Sequence, residues 1–198
     1  MKNSIVYRED IDCLRGLSVL FVILYHLKIS YFSGGFLGVD IFFVISGFLI
    51  TSIILKDISD GTFSLISFYE RRIRRIFPAL FFVLIFTYLF FNFIYLEGEI
   101  KELSKSIIST ILFYANFHFL DHGSYFSPMN ENLPLLHTWS LSIEEQFYFF
   151  FPFLIIFFKK NLSIILKSLI VLTFFSISLT QFGGNLRFDY PYIEKNLN

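Results

Sequence analysis

Charge is scarce in this chain. Only 16% of its 198 residues are Asp, Glu, Lys or Arg, against about a quarter in an ordinary soluble domain. Cysteine is scarcer still: Cys13 stands alone, which excludes an intrachain disulfide and a cysteine-based metal cluster. Its apolar setting predicts a buried thiol. The net charge is zero and no basic stripe interleaves with aromatics, so nothing points to a nucleic-acid partner. No cleavable leader is expected either. Acidic and basic residues mix before the first apolar run, and Tyr25, His26 and Leu27 end that run where small residues would be needed. Neither a sequence repeat nor a soluble second domain is visible.

What the chain has instead is apolar bulk. Hydrophobic residues make up 55% of it, including 30 Phe. A soluble domain of this size still exposes about 30% of its unfolded chain's surface, too much to carry this composition in water. The expected fold class is therefore all-α, a polytopic transmembrane helical bundle.

A membrane span needs about 20 largely apolar residues. The cleanest candidate is 76–96, with no charge over 21 positions. The others are 14–32, 35–55, 141–158 and 164–186. The segment 106–120 is apolar but short, and follows Glu97, Glu99, Lys101, Glu102 and Lys105. It either crosses or lies at the interface as a re-entrant piece, which requires protein cover for its backbone. The stretch 57–64 reads as a loop broken by Gly61. The basic stretch 67–77 reads as an amphipathic interfacial helix that turns into the membrane at Pro78, and the tail from Gly183 reads as irregular. Arg71, Arg72, Arg74 and Arg75 precede the cleanest span, so their loop is placed in the cytoplasm, and Lys2 and Arg8 with it. If 106–120 does not cross, Lys159 and Lys160 also fall inside. The N-terminus is then cytoplasmic and His26 lies near the outer face.

Ionisable residues at membrane depth usually face a bundle interior or a wet cavity. Arg15 and His26 are eleven positions apart in the first apolar segment. That is about 16 Å along a helix and close to three turns, so both project from nearly one face. Imidazole can take and return a proton near neutral pH. Guanidinium suits a phosphate or carboxylate. Asp40 either orients the imidazole or caps the second helix. The arginine block sets topology and can also dock the phosphates of a cytoplasmic donor. His137, Trp139, Glu144 and Glu145 form a second polar group, with Ser140 and Ser142 as candidate caps and one carboxylate expected to face inward toward an Arg or His. The four histidines (His26, His118, His122, His137) lack a metalloprotease spacing, and no metal is expected.

Four ordered blocks then become recognisable. YREDIDCLRGLSVLFVILYH, GGFLGVDIFFVISGFLI, FYERRIRRIFPAL and PLLHTWSLSIEEQFYFFFP resemble the N-terminal portion of the acyltransferase 3 family, bacterial membrane O-acyltransferases of surface polysaccharides. From the first to the last they span about three quarters of the chain. The family's Arg-x10-His signature falls on Arg15 and His26. The resemblance implies transfer of an acyl group, commonly acetyl, from acyl-coenzyme A to a hydroxyl of a glycan or lipid-linked saccharide at the bacterial inner membrane. It implies His26 as the catalytic base with Arg15 as companion, Arg71, Arg72, Arg74 and Arg75 as donor-side residues, and Glu144 or Glu145 as the acidic position. His137, Trp139 and Asp40 are supporting residues. Cys13 stands where the family often has glycine. Family domains continue with further helices, so the chain reads as truncated. A second polypeptide completing the bundle is one expectation, and an inactive or auxiliary membrane protein is the alternative. A transporter is the third reading, but it lacks the inverted repeat many transporters carry.

Overall fold

The computed structural model describes residues 8–121, 133–158 and 161–182. These form seven α-helices and two short 3-10 turns, with no strand among the described residues. His122, the Lys159–Lys160 pair and the tail from Gly183 lie outside them. Three helical segments are long and apolar enough to cross a membrane: Gly35–Ser59, Leu65–Phe91 and Thr138–Phe158. The chain is a multi-pass, all-α membrane protein that divides into two compact units, one ending at Phe63 and the other beginning at Ser64.

The first unit opens with α1, Glu9–His26. Glu9, Asp10 and Asp12 fill its first turn, where the exposed N–H groups favour negative charge. The helix stops at His26 because Lys28 adopts a left-handed φ of 56°, the usual way a helix chain reverses. The expected span 14–32 therefore starts earlier, as helix, and finishes in the 3-10 turn Ser30–Phe32. Cys13 is exposed, not buried as its apolar setting suggested. In a helix surrounded by lipid-compatible residues, an apolar neighbourhood in sequence does not report an inward direction.

A second 3-10 turn, Gly35–Leu37, leads into α2, Gly38–Ser59. Here two glycines are obligatory. A Cβ on Gly35 would lie 2.3 Å from the Phe21 carbonyl oxygen, and one on Gly38 would lie 2.3 Å from that of Ser18. The start of α2 is thus pressed against the α1 backbone at a distance only glycine permits. Ser18 is buried at this contact and donates back to the Leu14 carbonyl at 2.7 Å. Helix α2 runs two residues past the expected loop start at Asp57 and ends before Gly61, whose φ is +69°.

In the second unit, Ser64 caps α3, Leu65–Phe91. The basic stretch and the apolar run that follows it form one continuous helix with Pro78 inside it. Proline removes one hydrogen bond and kinks a helix without necessarily ending it when packing holds both sides. Phe82, Phe86 and Phe90 stack along its outer face at 6.5 and 6.1 Å and are more than half exposed, an apolar stripe suited to lipid.

The ambiguous segment 106–120 is broken. Helix α4, Glu97–Ile111, and helix α5, Ala115–Asp121, are separated at Leu112–Tyr114, where Phe113 has a φ of 51°. Neither piece reaches the length of a single crossing. Helix α6, Thr138–Phe158, and helix α7, Leu162–Phe182, follow. Leu80 and Leu84 of α3, Leu103 of α4, Ala115 and Phe119 of α5, and Leu135 form the core of this unit, with Trp139 packed against it.

Gly38→Ala is expected to cost about 1–3 kcal/mol through overpacking, read as a lower melting midpoint in detergent. Gly47→Ala, whose added methyl meets open space, is the control and is expected to hold or raise the midpoint. Equal midpoints for the two variants would refute the close helix contact.

Candidate active site

The polar residues singled out by the sequence fall into both units. In the first, Arg15 and His26 share α1. The Arg15 side chain is only 18% exposed. Its guanidinium lies over the Phe42 ring at 5.0 Å and stands 4.0 Å from the Asp12 carboxylate. Its Nε is buried with no hydrogen-bond partner among the described residues. Cation–π contact therefore holds the flat of the guanidinium, while Asp12 approaches only at its edge.

His26 sits at the last position of α1 and is exposed. Its Nδ1 is 2.8 Å from the Val22 carbonyl oxygen. A carbonyl can only accept, so Nδ1 carries the proton and donates it. In the neutral ring this leaves the Nε2 lone pair bare and directed away from the helix. The Tyr25 ring meets the imidazole edge-on at 5.3 Å and restricts its rotation. Asp40 is exposed in the first turn of α2, whose N-cap is Leu37.

In the second unit, α3 and α6 bring charge together. Tyr69 donates to the Phe149 carbonyl at 2.8 Å, and its ring packs against Phe149 and Phe153. One turn along α3, Arg72 lies over the Tyr148 ring at 4.8 Å and the Phe68 ring at 5.9 Å. Arg72 is half-buried, within electrostatic range of Glu144 and Glu145. The Tyr148 hydroxyl donates to the Glu144 carboxylate. The Glu145 Oε1 is buried and has no hydrogen-bond partner among the described residues. Glu145 is thus an inward-facing carboxylate whose nearby cation is Arg72, and it retains an unused acceptor.

The arginine block divides. Arg71, Arg74 and Arg75 are exposed, with Arg74 held by Glu70 at 2.8 and 3.0 Å. Only Arg72 turns into the α3–α6 contact. His137 is exposed immediately before α6, and Trp139 is half-buried against the unit's core. Ser140 and Ser142 lie inside α6 and bond backward to the His137 and Thr138 carbonyls, rather than capping the helix. His118 pairs with Ser106 at 3.2 Å.

Sequence reasoning passed over Tyr148, Tyr69 and Gln146. Helical spacing held the signal for Tyr148 alone. Tyr148 follows Glu144 by four residues and Arg72 follows Phe68 by four, the interval that stacks side chains on one face. The Tyr69 contact joins residues eighty positions apart, and no local pattern encodes it.

Comparison with known proteins agrees with the block pattern. The family model of an acyltransferase domain matches residues 8–197. Peptidoglycan O-acetyltransferase OatA of Listeria monocytogenes is 41% identical over 169 residues, covering 83% of this chain and 27% of that protein. O-acetyltransferase OatA of Staphylococcus aureus is 38% identical over 179 residues, covering 89% of this chain and 29% of that protein. The chain thus spans between a quarter and a third of the length of these relatives. No solved structure matches it. On the family match, the ordered motifs and the apolar helices that bear them, the chain belongs to the acyltransferase 3 family of membrane O-acyltransferases.

Proposed function

We propose that the chain transfers an acetyl group from acetyl-coenzyme A to a hydroxyl of a cell-surface glycan or lipid-linked saccharide, with His26 as general base. The observation that carries this reading is the His26 ring itself. Its Nδ1 proton is committed to the Val22 carbonyl, so Nε2 is the atom that accepts a proton from the acceptor hydroxyl. The alkoxide-like oxygen attacks the thioester carbonyl, the carbon–sulfur bond breaks, and the imidazolium returns its proton to the departing thiolate. Arg15, about three turns away on the same helix face, holds a positive charge for an anionic part of a substrate. The same chemistry runs stepwise if the acyl group first rests on the protein.

The donor is anionic through its phosphates. Arg71, Arg74 and Arg75, exposed on the first turns of α3, are the residues suited to hold them. Arg72 adds charge from its half-buried place beside Tyr148. The positive-inside rule sets this end in the cytoplasm of a bacterial cell, with the N-terminus on the same side. On the same rule His26 belongs to the outer side of the membrane, so the acyl group has to pass from one side to the other. Glu145, with an unused acceptor oxygen, is suited to receive a hydrogen bond from a substrate hydroxyl.

In membranes carrying the chain and labelled acetyl-coenzyme A, label is expected to enter glycan. His26→Ala should lower the rate by about 10²-fold or more. Label that ignores His26, or no label with the protein inserted, sinks the reading. A combined Arg74→Gln and Arg75→Gln variant is expected to raise the KM for the donor several-fold while leaving kcat within about twofold, since it removes uniform binding. A fall in kcat alone would contradict a donor-docking role. Arg72→Gln and Glu145→Gln should be non-additive, with a coupling of about 0.5–3 kcal/mol in thermal stability. Simple additivity would mean that the two do not act as a pair.

A further inference from the structure

The break between α4 and α5 is held by α6. At Leu112–Tyr114 the helical hydrogen bonds are interrupted, and the freed backbone groups need partners wherever protein or lipid excludes water. The Gln146 side chain donates to the Phe113 carbonyl at 2.7 Å. It also donates to the Asn116 Oδ1 at 2.9 Å, and the Asn116 amide donates back to it at 3.4 Å. One turn earlier, Ser142 accepts from the Ala115 N–H at 3.2 Å. Thr138 meets Thr110 of α4 at 2.9 Å. Three residues spaced four apart on α6 thus hold the elbow from one side. On its other side, the Phe113 ring stands edge-on to Phe77 of α3 at 5.9 Å.

This places the elbow between the two helices that carry the charged site of the second unit. Phe77 lies five residues beyond Arg72 in α3, and Gln146 directly follows Glu145 in α6. Projected down α6, Ser142 and Gln146 lie about 60° and 100° to one side of Glu145. Tyr148 and Glu144 lie about 60° and 100° to the other. Glu145 is therefore midway between the pair that grips the elbow and the pair, Tyr148 and Glu144, that lies toward Arg72.

We propose that Gln146 is a positioning residue, which through the Phe113 carbonyl sets the rotation of α6 and so holds Glu145 turned inward beside Arg72. Its amide is the only type of side chain there that can donate to the Phe113 carbonyl and exchange two hydrogen bonds with Asn116 at once. A carboxylate of the same size cannot do so, because it would oppose the carbonyl with a second acceptor. The role in turnover rests on the acyl-transfer reading above; the role in orientation does not.

The test uses the full chain in membranes with Cys13→Ser, so that a single reporter thiol is present. In that background Glu145→Cys is combined with Gln146, Gln146→Leu or Gln146→Glu, and thiol modification by a charged methanethiosulfonate is timed. The reporter is expected to react about tenfold faster in both variants, because an inward thiol becomes accessible. With Glu145 intact and no reporter, both variants are expected to lower kcat by about 10- to 100-fold, with the KM for acetyl-coenzyme A within about twofold, as misplacement of a group does. If Gln146→Leu fails to insert, Gln146→Glu, which keeps volume and polarity, carries the test. Unchanged thiol reactivity in Gln146→Glu would overturn the proposal, since the Asn116 contact alone would then suffice. Faster reaction in a chain without acyl transfer would uphold the positioning role and reject the acyl-transfer reading.

Discussion

A peptide carbonyl released by a helix break has to be given a donor, and in the second unit the donor is a side chain of α6. The arrangement of that unit follows from this one requirement. Gln146 reaches the Phe113 carbonyl, Ser142 takes the Ala115 N–H, and the elbow is thereby seated against α6 with its aromatic ring on α3. A helix so held has one rotation available, since turning it would strand both backbone groups at a cost of about 1–3 kcal/mol each. The charged residues on its remaining faces inherit that rotation.

Charge in this chain is disposed by contact with aromatic rings as much as by ion pairing. Arg15 lies over Phe42, and Arg72 lies over Tyr148 and Phe68. An aromatic face attracts a guanidinium without consuming its hydrogen-bond donors. A tight carboxylate pair, by contrast, would occupy them. Arg74 shows the opposite case, two of its N–H groups donating to one oxygen of the sequence-local Glu70 on an exposed surface, where such a pair contributes about 0.3–0.5 kcal/mol.

The helix exteriors invert the soluble pattern. Phe82, Phe86 and Phe90 face outward, while Ser18, Ser106, Thr110, Thr138 and Ser142 are buried. Buried hydroxyls and the two glycines lie at helix contacts, and many of the bulky apolar side chains outside the core are exposed, as suits lipid. Association in a bilayer draws on close packing and hydrogen bonds, because burying another Leu or Phe gains nothing over leaving it in lipid. Gly35 and Gly38 carry this furthest, admitting the α1 backbone at distances no other residue allows.

Much of this was determined by sequence. Composition alone established a helical membrane protein, the four blocks established the family, and helical spacing put Arg15 and His26 on one face. Those are properties of local periodicity and residue type, which need no knowledge of neighbours. Cys13 was misread because an apolar run around a residue does not say which way it points when the solvent is also apolar. Tertiary structure alone decided that Arg72, not its three companions, turns toward Glu144 and Glu145, that Tyr148 joins them, and that Gln146 holds the α4–α5 elbow. Each of these joins segments tens of residues apart. The partner of a polar group is chosen by what the fold brings within about 3 Å of it, and one-dimensional spacing carries no record of that.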